Sequence, residues 1–142
     1  MTDNSTRLDH VVLWVRDPAA STAFYQDVLG LEPVRLTEHK NGEAPFPSVR
    51  VSDETIIDLM PVARAPRLTM VPGADGSTGH PVNHICLSVT ETAFDALLER
   101  LRERAVPMSG VSHNSFGARG RAARNVYFRD PDGNVMEVRH YD

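Results

Sequence analysis

Four short stretches of the chain alternate apolar and polar residues with a period of two, and two longer ones repeat apolar residues every three or four positions. In a strand, neighbouring side chains point to opposite faces. Val11, Leu13 and Val15 therefore share one face and His10, Val12 and Trp14 the other, while Ile85, Leu87 and Val89 oppose His84, Cys86 and Ser88. Ile57 and Leu59 likewise oppose Ile56, Asp58 and Met60, and Met136 and Val138 oppose Val135, Glu137 and Arg139. The helical spacing predicts one helix through Phe94, Leu97, Leu98 and Leu101, with Glu99, Arg100, Arg102 and Glu103 facing outward. It predicts another after Pro18 that buries Ala20, Ala23, Phe24 and Val28 and stops at Gly30.

These patterns occur twice. Residues 8–17 align with residues 82–91 at an offset of 74, and residues 53–59 align with residues 132–138 at an offset of 79. The second copy thus carries about five extra residues, which fall in the 107–123 region. Each half reads strand, helix, then strands ending in a hairpin, a βαβββ module, and the modules span about 7–62 and 81–140. Between them, residues 61–81 are rich in Pro and Gly without a clear period, which predicts a linker or flap. Half of the chain, roughly 60 residues, is marginal for independent folding, so residues 1–142 are expected to form a single domain of the α+β class with a pseudo-twofold relation between its modules.

Composition narrows the function. At 41% hydrophobic and 24% charged residues the chain is globular in character, and no apolar run approaches the roughly 20 residues of a membrane span. A net charge of −4 argues against binding a phosphate backbone, and Arg119, Arg121 and Arg124, interleaved with Gly and Ala, are too few for a nucleic-acid footprint. Residues 1–7 lack the order of a secretory signal and the single cysteine, Cys86, has no partner for an internal disulfide, so a cytoplasmic location is expected.

On all four alternating strands one side is purely apolar, and the other carries one His or carboxylate among apolar neighbours. A lone His at a strand start is usually capping or hydrogen bonded, but here the placement recurs at equivalent positions of the repeat. Under twofold symmetry His10 would meet His84 and Asp58 would meet Glu137, an N2O2 set suited to Ni, Zn, Co, Mn or Fe(II). Trp14 and Met60 are expected to wall the cleft and Cys86 to pack beside His84. His113, Ser115, Phe116 and Arg119 lie in the inserted region, a candidate lid, while His39, His80 and His140 read as structural or solvated.

The segments Leu-Asp-His-Val-Val at 8–12, Ala-Phe-Tyr-Gln-Asp-Val-Leu-Gly-Leu at 23–31, Asn-His-Ile at 83–85 and Tyr-Phe-Arg-Asp-Pro-Asp-Gly-Asn-Val-Met-Glu-Val at 127–138 resemble the vicinal-oxygen-chelate superfamily. That superfamily includes glyoxalase I, extradiol dioxygenases, fosfomycin-resistance proteins and bleomycin-binding proteins. The resemblance covers about residues 7–140 and implies a cupped half-barrel sheet with helices outside. It implies one divalent metal held by His10, Asp58, His84 and Glu137, with Glu137 or Asp58 moving protons. It also implies a small-molecule substrate lined by Val12, Trp14, Met60, Cys86, Arg119 and Arg139, and a homodimer. Asp58 stands where glyoxalase I usually has Glu, and His10, His84 and Glu137 alone would satisfy a two-His-one-carboxylate iron site. The leading expectation is a glyoxalase-type lyase or isomerase acting on a vicinal-oxygen substrate such as a thiol adduct of an α-ketoaldehyde. An extradiol-type dioxygenase and a metal-free antibiotic-binding resistance protein are the alternatives.

Overall fold

A computed structural model describes residues 8–67, 82 and 84–142. Contacts divide the chain into two compact units, Met1–Gly79 and His80–Asp142, and each contains one of the two repeated patterns.

In the first unit, β1 (His10–Val15), α1 (Pro18–Leu29), β2 (Glu32–Val34), α2 (Leu36–Lys40), β3 (Ser48–Ser52) and β4 (Thr55–Pro61) follow in order. The sheet runs β1-β4-β3-β2, with β1 parallel to β4 and the remaining pairs antiparallel. The register sets His10 beside Ile56, Val12 beside Asp58 and Trp14 beside Met60, so these six residues share one face as the alternation predicted. Helix α1 begins where Asp17 accepts hydrogen bonds from the N–H groups of Ala19 and Ala20, at 3.1 and 3.2 Å. It ends at Gly30, whose φ of +70° lets its N–H and that of Leu31 close back on the carbonyls of Gln26 and Tyr25.

The buried stripe of α1 differs from the expected one. Ser21, Thr22, Tyr25 and Val28 face the core, whereas Ala20 and Ala23 are exposed and Phe24 is half-buried. An alanine has little apolar area to gain from burial, and Tyr25 has a whole ring. Thr22 loses little by facing inward because its hydroxyl donates to the Pro18 carbonyl at 2.7 Å. The five-residue helix α2 was not anticipated. The expected linker opens with a 3₁₀ turn, Val62–Arg67, and the rest of it, like residues 1–7 and His80, lies outside the described residues.

In the second unit, β5 (Ile85–Ser88), α3 (Glu91–Glu103), β6 (Phe116–Gly117), β7 (Gly120–Arg121), β8 (Arg124–Arg129) and β9 (Val135–His140) follow in order. Its main sheet runs β5-β9-β8, with β5 parallel to β9 as β1 is to β4. Helix α3 is capped by Thr90 and buries Phe94, Leu97, Leu98 and Leu101, the predicted stripe. The further strand expected from the repeat is reduced to isolated bridges, Met108 with Phe128 and Ser112 with Asn125. Between them the Ser109 hydroxyl, rather than a backbone carbonyl, accepts the Tyr127 N–H at 2.9 Å, so the ladder is interrupted. The inserted residues form the β6-β7 ribbon. Both units mix helices with small mixed sheets, an α+β fold. No helix among the described residues is long and apolar enough to cross a membrane.

The left-handed stop at Gly30 is testable. An added Cβ there meets no neighbour, so Gly30→Ala should cost about 1 kcal/mol from the φ of +70° alone and lower the melting temperature by roughly 3 °C. Gly110→Ala, where space is equally open and φ is not positive, should leave it unchanged in the same calorimetric scan.

Candidate functional site

The first unit contributes His10 and Asp58 from neighbouring strands. Asp9 accepts a hydrogen bond from His10 Nδ1 at 2.7 Å, which leaves Nε2 as the nitrogen available to a ligand. That bond raises the His10 pKa above its ordinary 6.5, against the opposing effect of burial and with help from the Asp58 charge. The His10 side chain is half-exposed, whereas Asp58 is buried. A buried carboxylate needs a donor. It has one in Ser48, directly across the β3-β4 ladder, whose hydroxyl donates to Oδ1 at 2.6 Å. Trp14 and Met60 are buried beside it, and Val12 is exposed.

The second unit contributes His84 and Glu137. His84 Nε2 lies 3.3 Å from Glu137 Oε1, and the His84 ring meets Tyr127 edge-on with centroids 5.4 Å apart. Glu137 is only 2% exposed. Its second oxygen, Oε2, accepts from Arg139 Nη2 at 2.6 Å and from Nε at 3.2 Å. Burial works against the Arg139 charge, but its contacts with Glu137, Tyr141 and Cys86 together more than offset it, so the guanidinium holds its proton more tightly than usual. Arg139 Nε also reaches Cys86 Sγ at 3.2 Å. Burial, and then the Glu137 charge, push the Cys86 thiol pKa up, against Arg139, which pulls it down, and the thiol lines the site.

His84, Cys86, Arg119, Glu137 and Arg139 all border one cavity of about 390 Å³ within this unit. The sequence pattern singled out these five. It passed over Ser88, Tyr127 and Tyr141 in the same wall, and Ser48 and Asp9 in the other unit. The strand registers could have found Ser48, Ser88 and Tyr127, since each lies on the active face directly across from Asp58, Arg139 or Glu137. Tyr141 lies beyond the end of β9 and carries no such signal. His113 and His140 are held structurally: His113 Nδ1 donates to the Ala123 carbonyl at 3.0 Å, and buried His140 accepts from Arg124 Nε at 2.9 Å. His39 donates to the Ala44 carbonyl.

Residues 7–138 match the Glyoxalase/Bleomycin resistance protein/Dioxygenase superfamily. The chain belongs to that superfamily. Among its relatives, virulence protein STM3117 of Salmonella typhimurium is 27% identical over 136 residues, covering 95% of this chain and 84% of that one. The lactoylglutathione lyase of the same organism is 29% identical over 133 residues, covering 93% and 90%. The crystal structure of STM3117 superposes with a TM-score of 0.70 at 24% identity, over 96% of this chain and 98% of the other. The superfamily's fold is therefore that of this chain, and glyoxalases are among its relatives.

Among the described residues no three His, Cys, Asp or Glu side chains are gathered into a set that could hold a metal ion. Each unit instead contributes one His and one buried carboxylate. The second pair tests whether an ion fits. Two donors each about 2.0–2.2 Å from a common ion, at an angle near the tetrahedral value, stand about 3.3 Å apart, and His84 Nε2 and Glu137 Oε1 have that separation.

Proton NMR of the histidine ring signals in metal-free protein should give His10 a midpoint above 6.5, and Asp9→Asn should bring it back toward that value. Because the folded pKa is raised, the Asp9–His10 contact contributes stability fully below pH 6.5 and loses it as pH rises through the His10 midpoint. An unchanged midpoint in Asp9→Asn would assign the shift elsewhere.

Proposed function

We propose that the chain is a metal-dependent small-molecule enzyme of glyoxalase type, a lyase or isomerase for a substrate with two adjacent oxygen functions, such as a thiol adduct of an α-ketoaldehyde. The observation that carries this reading is the His84–Glu137 pair, donor atoms 3.3 Å apart at the wall of a 390 Å³ cavity. The likeness to a lactoylglutathione lyase supports the same reading. His10 Nε2, Asp58, His84 Nε2 and Glu137 Oε1 would hold one divalent cation. Bound there, the cation would supply Lewis-acid polarisation of the two substrate oxygens.

The chain's own groups do the remainder. Glu137 or Asp58, of which Ser48 holds only the Oδ1 oxygen, takes up the proton lost from carbon beside the carbonyl. Arg139 is neutralised by Glu137, whereas no carboxylate among the described residues pairs with Arg119, which stacks on Tyr141 at 4.7 Å. The cavity therefore carries one uncancelled positive charge, which suits a substrate with an anionic arm. Val12, Trp14 and Met60, which share the face of Asp58, would line the substrate site. The reading includes a cytoplasmic protein, whose single Cys86 needs no oxidising compartment, and a homodimer, for which the support is that among the described residues β1 and β5 are both edge strands of their sheets.

Metal analysis checks the reading directly. Protein purified without chelator should hold about one divalent ion per chain, and His10→Ala combined with His84→Ala should abolish it. Glu137→Gln should weaken the metal more than Asp58→Asn, whose shorter side chain is the less certain ligand, with losses of about 10 to 100-fold or more. In a screen of α-ketoaldehyde thiol adducts and catechols, Glu137→Gln should lower turnover by about 10² to 10⁴-fold while substrate binding persists in calorimetry. Full turnover by chelated protein would refute metal-assisted chemistry, and light scattering that found only the 15.7 kDa species at tens of micromolar would refute the dimer.

A further inference from the structure

Arg119 stands at the turn of the β6-β7 ribbon, between the paired Gly117 and Gly120, where an arginine is ordinarily solvated and free to move. Here it is fastened at both ends. Its backbone N–H donates to Tyr141 Oη at 3.2 Å, and its guanidinium carbon lies 4.7 Å from the centre of the same ring, within cation–π range. One tyrosine near the end of the chain thus holds both the main chain and the side chain of Arg119. Stacking uses the face of the guanidinium and leaves its edge, where five N–H donors lie in one plane. Among the described residues none of those donors is hydrogen bonded. Arg139, which borders the same cavity, differs in this respect: it is buried, and its donors go to Glu137 and Ser115. The Tyr141 hydroxyl, having accepted from the Arg119 N–H, keeps its own hydrogen to donate beside the guanidinium.

On the reading above, which makes this cavity the substrate site, we propose that Arg119, held in place by Tyr141, selects the substrate by a single carboxylate, so that the thiol half of the adduct is a monocarboxylic thiol. Three features lead to that ligand. A cluster of donors calls for a group that only accepts, and the planar fork of a guanidinium matches the two coplanar oxygens of a carboxylate. One unpaired cation balances one negative charge, whereas a phosphate monoester, carrying more than one at neutral pH, would bring an excess. Because Tyr141 fixes the side chain before a ligand arrives, less rotamer freedom is lost on binding, and the preference is built into the free protein.

The test needs no metal and no turnover. Chelator-treated full-length protein is titrated in a calorimeter with 3-(benzylthio)propanoate and with its neutral analogue 3-(benzylthio)propan-1-ol, thioethers that stand in for the thiol half of the adduct. Wild type should hold the carboxylate about tenfold more tightly than the alcohol, the difference a charge-assisted fork supplies. Arg119→Met, at an exposed position, should erase that difference while leaving affinity for the alcohol unchanged. Tyr141→Leu, which removes the ring beneath the guanidinium, should weaken the carboxylate several-fold, and Tyr141→Phe, which keeps the ring, should restore it. Equal affinities in wild type, absence of binding included, a preference that survives Arg119→Met, or a matching loss of both ligands in that variant would overturn the role of Arg119. None of these results touches the metal-assisted chemistry, which fails on its own if metal-loaded protein turns over no α-ketoaldehyde thiol adduct.

Discussion

A carboxylate placed among Val and Met side chains on a buried strand is stable only if its charge is answered locally, and most of the second unit's site can be traced to that constraint. Glu137 is 2% exposed, with Met136 and Val138 fully buried on either side. Leaving one member of such a pair uncompensated typically costs about 3–5 kcal/mol. Arg139 supplies the answer from two residues along the same strand and the same face. The arginine, buried in turn, requires acceptors for its other donors, and it finds them in Ser115 and Tyr141. The loop between α3 and β8 is thus tied to the site by the requirements of a single buried charge.

The first unit solves the same problem differently. Asp58 occupies the position equivalent to Glu137 but is answered by a neutral hydroxyl from Ser48 rather than by a cation. Its histidine is oriented by a carboxylate, Asp9, whereas His84 is set against the Tyr127 ring and Glu137 itself. The duplication therefore preserves the backbone frame and the residue types facing the site, while the groups surrounding each ligand candidate have diverged.

Superfamily membership explains the frame, and the frame is compatible with several chemistries. What argues for the glyoxalase type is local: a His–carboxylate donor pair 3.3 Å apart, a cavity beside it bordered by an arginine that no carboxylate among the described residues pairs with, and a thiol whose pKa is pushed up.

The sequence by itself determined the two repeated modules, the faces of β1, β4, β5 and β9, and the stop of α1, because each depends on short-range geometry: a period of two in strands, a Gly where φ must be positive. It also placed His10, Asp58, His84 and Glu137 on the polar faces of their strands for the same reason. Only the tertiary structure decided which way α1 turns, since Tyr25 and Thr22 carry no amphipathic signal strong enough to outweigh Ala20, Ala23 and Phe24. Likewise the interrupted strand near Ser109 and the partners of Arg139 were not legible. Alternation puts Arg139 beside Glu137 on one face, but whether its fork grips that carboxylate or points at a substrate depends on acceptors brought by Ser115, 24 residues earlier in the chain. Contacts between residues so far apart in sequence leave no periodic trace, and they decide how the site's charges are shared.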